Sequence, residues 1–177
     1  SPIGADASSI LIGKNSLSSL SQRLTNLRSI APEHTLAIWT NGLAHYDEIR
    51  QSLYMNAAVR TNGVQVGGDR GWSPGDGHLT LGAFYDYAQS QMNQHRDISS
   101  AHTETTAQGY GVYGTYRTGR WYVDVLARGA QEDYDITFDD KPGFGTKGDS
   151  WAGSVEFGGE FLDEDKVLNW EPQVQLI

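Results

Sequence analysis

The sequence predicts an all-β chain: a transmembrane, antiparallel, up-and-down β-barrel preceded by one helix. Three observations carry this. First, segments of alternating apolar and polar residues recur between Gly, Pro and Asp turns, most cleanly in the last ten residues. There Leu168, Trp170, Pro172, Val174 and Leu176 alternate with Asn169, Glu171, Gln173 and Gln175. Successive strand residues point to opposite faces, so each such segment has one apolar and one polar face. Second, short turns alternate with long polar loops, the organisation of a barrel with lipid outside and water inside. Third, Trp and Tyr gather near the strand ends, where a membrane barrel carries its aromatic girdles.

The elements follow in chain order. Residues 1–14 are rich in Ser, Ala and Gly and read as a linker from an upstream domain. Asn15 or Ser16 offers a helix cap, a side-chain oxygen for a free backbone N–H. Leu17, Leu20, Leu24 and Leu27 then recur at helical spacing, with Arg23 and Arg28 on other faces, giving a helix over 15–31 that Pro32 ends. Its apolar stripe is narrow, which fits either an ordinary surface helix or one inside a partly polar enclosure.

Strands are predicted at 36–46, 55–69, 78–90, 107–116, 121–133, 151–161 and 168–177. The third puts Leu79, Leu81, Ala83, Tyr85 and Tyr87 opposite Thr80, Gly82, Asp86 and Ser90; the fifth opposes Trp121, Val123, Val125 and Ala127 to Asp124 and Arg128. The sixth opposes Trp151, Val155, Phe157 and Phe161 to Ser154, Glu156 and Glu160. Short turns fall at 71–77, 117–120 and 163–166, and long loops at 47–54, 91–106 and 134–150.

The polar face identifies the lumen. Asp86, Asp124, Arg128, Glu156, Glu160, Glu171 and Gln173 all lie on it, while the opposite face is free of charge through the middle of the later strands. Tyr85, Tyr110, Tyr116, Trp121, Trp151, Phe161 and Trp170 are expected to face lipid or form the girdles. The competing reading is a soluble β-sandwich binding module, its Trp and Tyr stacking on sugars; such sheets also alternate, with the polar side in water. Solubility without detergent separates the two.

Composition excludes other classes. The 177 residues suggest one domain, and nine Tyr and five Trp argue against disorder. A net charge of −9 makes nucleic acid an unsuitable partner. With no Cys there is neither a disulfide nor a thiolate metal site. The histidines His34, His45, His78, His95 and His102 show no metal-ligand spacing, and Gly109-Tyr110-Gly111 opens no helix, so neither a metal, a nucleotide nor any other cofactor is expected. No catalytic constellation emerges. No apolar run approaches the ~18 residues of a membrane helix, and no signal peptide is visible at Ser1, which for an exported protein implies a processed N-terminus.

The order helix, Ile38-Trp39, GVQVGGDRGW (63–72), GHLTLGAFYDYAQS (77–90), GYGVYGTYRTGRWYVDVLAR (109–128) and WEPQVQL (170–176) resembles the translocator domain of pertactin-like autotransporters, the classical branch of type V secretion. The resemblance covers about residues 15–177. It implies a twelve-stranded barrel in the outer membrane of a Gram-negative bacterium, residues 36–177 being its N-terminal part. Residues 15–31 would thread the pore toward an upstream passenger, with Arg23 and Arg28 meeting Asp124, Glu156, Glu160 or Glu171 on the wall. The implied partners are outer-membrane lipid, the passenger, periplasmic chaperones and the barrel-assembly machinery. Some autotransporters cut their own passenger at an Asn in the pore helix; Asn15 and Asn26 are the positions where that would have to happen, although no paired cleavage motif stands out. With about seven strands and no further strand after Ile177, a truncated form or an assembly intermediate is expected.

Overall fold

The computed structural model describes residues 3–29, 36–52, 55–96, 99–139, 142–159, 161–162, 169–170 and 173–176, with side chains over 10–27, 36–48, 58–93, 101–139 and 142–159. One helix, α1 (Ile3–Ser29), precedes the strands β1 (Ala37–Ser52), β2 (Met55–Trp72), β3 (Gly77–Arg96), β4 (Ser99–Thr118), β5 (Trp121–Phe138) and β6 (Phe144–Gly159). Three short strands follow: β7 (Phe161–Leu162), β8 (Asn169–Trp170) and β9 (Gln173–Leu176). The main sheet is antiparallel in the order β1-β2-β3-β4-β5-β6-β9, and β7 pairs with β8 apart from it. The sheet is open: among the described residues β1 and β9 each have a neighbour on one side only.

The faces alternate as expected. On β5 every even-numbered residue from Tyr122 to Ile136 is buried on the concave side, while Trp121, Val123, Val125 and Ala127 are exposed on the convex side. Most of the exposed convex aromatics and aliphatics occupy a band between two register rows. Trp72, Leu79, Tyr116, Val123 and Phe157 form the row nearer the tight turns. Val66, Tyr85, Tyr110, Gly129 and Trp151 form the farther one. The rows are six residues apart on β3, about 20 Å of strand. Trp121 stacks on Phe157 at 5.3 Å beside the first row, and Tyr110 meets Trp151 edge-on at 6.4 Å in the second. In the membrane barrel that the sequence predicts, a charge in this band would meet hydrocarbon: V125R, at an outward position 48% exposed, is expected to lower the stability of the inserted sheet by about 2–4 kcal/mol. Q131R, beyond the farther row, should cost about 0–1 kcal/mol. Urea unfolding in lipid vesicles reads both.

The strands are longer than the sequence suggested, and the three long loops are a correction. β3 and β4 have 20 residues each, and β3 runs to Arg96 before β4 starts at Ser99. Segments 47–54, 91–106 and 134–150 are therefore largely paired strand, continuing the wall beyond the apolar band. Polarity misled the reading there. The outward residues Gln89, Gln91, Asn93, Glu104, Gln108, Asp133 and Asp135 are polar and exposed, while Met92, Thr103, Thr105, Tyr134 and Ile136 alternate inward and are buried. On this outer wall Tyr46 donates to Glu48 Oε1 at 3.2 Å, and that bond together with the carboxylate charge raises the phenol's pKa.

Two tight turns hold the other rim. The β4–β5 turn needs Gly119, at φ +56°, and the β2–β3 turn needs Gly75, at φ +61°. The third predicted turn, 163–166, lies outside the described residues. The single terminal strand expected over 168–177 is split: Asn169–Trp170 pairs with Phe161–Leu162, whereas Gln173–Leu176 joins β6.

The helix also departs from expectation. It starts at Ile3, so most of the predicted linker is helical and Asn15 and Ser16 are interior positions. Packing explains this: Ile12 is fully buried against Ala88 and Ala107, and Leu11 packs on Val59 and Met92. The 27 residues of α1 rise about 40 Å, roughly twice the strand length of about 20 Å between the two register rows. No helix among the described residues is long and apolar enough to cross a membrane.

Candidate functional site

The site is the contact between α1 and the concave wall. Ile12, Ser16, Leu20 and Leu24 are spaced four apart, and all are buried. This i, i+4 row faces the sheet, with Leu27 beside it. Leu20, Leu24 and Leu27 form one cluster with Phe84, Tyr113 and Leu126, joined by the half-buried Leu17 and Trp39. The lumen is thus not uniformly polar, as the sequence suggested; around the C-terminal half of α1 it is an apolar collar. Large inward residues find room because a glycine faces them on the next strand. An added Cβ at Gly82 would lie 2.3 Å from the Tyr113 ring, and one at Gly67 would lie 2.4 Å from Trp39. G82V is expected to destabilise the assembled protein by about 1–3 kcal/mol through overpacking, read as a lower midpoint in the same urea titration.

Two polar anchors accompany the collar, one N-terminal to it along α1 and one within it. At the first, Arg128 on β5 reaches Asp86 on β3 with Nε–Oδ2 2.9 Å and Nη2–Oδ1 2.7 Å, both side chains essentially without solvent exposure. The forked geometry is the strong form of the pair. It passes over Gly109, where a Cβ would come within 2.3 Å of Asp86 Oδ1 and 2.6 Å of Arg128 Nη2. The helix joins through Ser16, whose hydroxyl donates to Asp86 Oδ2 at 2.7 Å and accepts from Gln65 Nε2 at 2.7 Å. At the second anchor, Arg23 donates to Asp69 Oδ2 from Nε at 3.1 Å and Nη2 at 2.8 Å. Tyr113 donates to the same oxygen at 2.6 Å and accepts from Trp39 Nε1 at 2.7 Å. One carboxylate thereby ties α1 to β1, β2 and β4. A third buried carboxylate, Glu132, accepts from Ser150 at 2.7 Å and from Tyr134. A cavity of about 600 Å³ remains between α1 and β5–β6, lined in part by Lys14, Leu17, Ser21, Ser150 and Ala152.

The residues singled out from sequence fall as follows. Asp86, Asp124 and Arg128 lie buried on the concave face, and Glu156 is half-buried there, accepting from Tyr122 at 3.0 Å. Tyr85, Tyr110, Tyr116, Trp121 and Trp151 are exposed on the convex face. Arg23 pairs with Asp69, a correction to the acidic partners expected, because the Asp69 carboxylate, held by Tyr113 beside the collar, lies within reach of both Nε and Nη2 of the helix arginine. The Arg28 side chain, Glu160, Glu171, and the side chains of Gln173, Phe161 and Trp170 lie outside the described residues. Asn15 is half-buried with its amide nitrogen buried and lacking a hydrogen bond among the described residues, whereas Asn26 is exposed. Missed were Ser16, Gln65, Asp69, Tyr113 and Trp39. Gln65 and Asp69 stood on the polar face of β2, and a Gly facing Tyr113 was the available clue to its reach.

A two-faced antiparallel wall, apolar outside, polar and charged inside, with a helix lying along the inside, is the wall of an outer-membrane β-barrel. The autotransporter beta-domain family model matches residues 38–177. The chain belongs to that family, whose members are translocator modules of the Gram-negative outer membrane. The fold is similar to the transport unit of the autotransporter AIDA-I from Escherichia coli, with a TM-score of 0.65 and 15% identity over 91% of this chain and 59% of that one. The beta domain of the Bordetella autotransporter BrkA gives 0.58 and 21% identity over 80% and 57%. The ferric citrate transporter FecA gives 0.51 and 9% over 76% and 24%. The chain therefore spans somewhat under three-fifths of the two autotransporter structures. No curated protein matches it in sequence.

Proposed function

We propose that this chain carries an upstream passenger through its pore to the cell surface and then anchors it there, with α1 as tether and plug. The direction of the chain supports this most. β1 begins beside Asp69 and the tight-turn rim, so the C-terminal end of α1 lies at that rim and its N-terminal end points to the other. Short turns belong to the periplasmic side of such barrels. Whatever precedes Ser1 then leaves at the outer mouth. The two anchors hold α1 in the lumen at Ser16 and Arg23, and the leucine collar fills the space between it and the wall.

Insertion requires help. An unpaired strand edge in lipid leaves backbone groups unsatisfied at several kcal/mol each, so the edges need holding while the sheet enters the membrane. The barrel-assembly machinery suits that task, and periplasmic chaperones would cover the apolar outer band in transit. In the test, protease added to intact cells should remove an epitope placed upstream of Ser1 in the full-length protein while the β-domain stays in the outer membrane. An epitope cut only after the outer membrane is broken would overturn the reading.

The helix is continuous through Asn15 and Asn26. Cyclisation at either requires the backbone to leave the helical conformation, so the tether is expected to stay intact. Mass spectrometry of the assembled protein should find one uncut chain across residues 3–29; a new terminus after either Asn would contradict this.

A further inference from the structure

We propose that Arg70 and Trp72 form a binding site for the phosphate of a glycerophospholipid in the periplasmic leaflet. The proposal rests on the membrane reading above. Between the two register rows of the convex band, Arg70 is the single charged residue among those described. It stands directly opposite Leu81 on β3, and Ile38, Val66 and Trp72 are exposed around it. Among the described residues no carboxylate lies within ion-pair distance of it. Asp69, its chain neighbour, points to the other face and is occupied by Arg23 and Tyr113.

A guanidinium stays charged at any accessible pH, and on a lipid-facing wall it directs its head toward the polar interface. Here that direction is visible: the guanidinium lies over the Trp72 ring, 5.5 Å from its centroid, on the side of the tight-turn rim. Trp marks the interface in membrane proteins. The anion found at that depth is the lipid phosphodiester, and the planar fork of Arg matches two phosphate oxygens. The indole face holds the guanidinium in place through its π electrons, so the fork is oriented before lipid arrives.

The test uses the full-length protein extracted from outer membranes and examined by native mass spectrometry, beside R70Q and R70K. Wild type is expected to retain a phospholipid that R70Q loses by about tenfold in bound fraction, with R70K between. Equal phospholipid retention by R70Q would overturn the site, as would an adduct of inorganic phosphate alone. Should R70Q fail to insert, wild type and R70K in phosphatidylethanolamine–phosphatidylglycerol vesicles decide the matter by solid-state NMR. Dephasing of arginine ¹³Cζ by lipid ³¹P should be greater in wild type than in R70K, and no difference would overturn the site. Outer-membrane fractionation of wild type keeps the two readings apart. A wild-type protein absent from that membrane would defeat the translocator reading, whereas one present there without Arg70-dependent lipid defeats only the lipid site.

Discussion

Replacing Arg128 by glutamine is expected to destabilise the assembled protein by about 3–5 kcal/mol, because it leaves the Asp86 carboxylate buried without its counter-charge. Neither side chain has more than 1% exposure, so water cannot screen the loss. Ser16 and its single hydrogen bond would be the remaining support. D86N/R128Q should recover most of the loss, since a pair of neutral amides does not carry the cost of an unpaired buried charge. The measurement is the urea midpoint in vesicles, together with the fraction that migrates faster on an unheated gel. If R128Q unfolds like wild type, the pair does not hold the wall. If the double variant is as poor as R128Q, shape rather than charge is what matters at this position.

Reversing Arg23 is the second large effect. R23E sets a carboxylate against Asp69, which is buried and already accepts from Tyr113. The helix is then expected to withdraw from the collar and open the lumen, and planar-bilayer conductance of the assembled protein should rise several-fold. R23E/D69R reverses the pair and should close the pore again, at least in part. Unchanged conductance in R23E would mean that the leucines alone hold the plug.

How far the sequence could be read depended on which physical signal each part leaves. The band strands were legible because lipid on one face and water on the other produce strict alternation: Leu79 to Tyr87 and Trp121 to Ala127 needed no further context. Beyond the band both faces of the wall are compatible with polar residues, the alternation loses contrast, and segments such as Gln91–Thr106 resemble loops. The lumen's charges at Asp86, Asp124 and Arg128 were visible on the polar face, but their pairing was not. Arg128 reaches Asp86 across an intervening strand, over Gly109, and such reach depends on sheet register, which alternation does not supply. Ser16 illustrates the opposite error. Ser suits a helix cap by local preference, yet here it sits in a buried row with Ile12 and Leu20, because Asp86 satisfies its hydroxyl.

The strand extensions have a mechanical meaning. Past Tyr87, β3 continues for nine residues to Arg96, about 30 Å of strand, with its neighbours alongside it. In the proposed orientation the outer mouth is a raised rim, a chimney that stands clear of the lipid surface. A passenger leaving along α1, as proposed, would meet bulk water well above the headgroups, and its first turns would fold without competing for the membrane's own apolar surface.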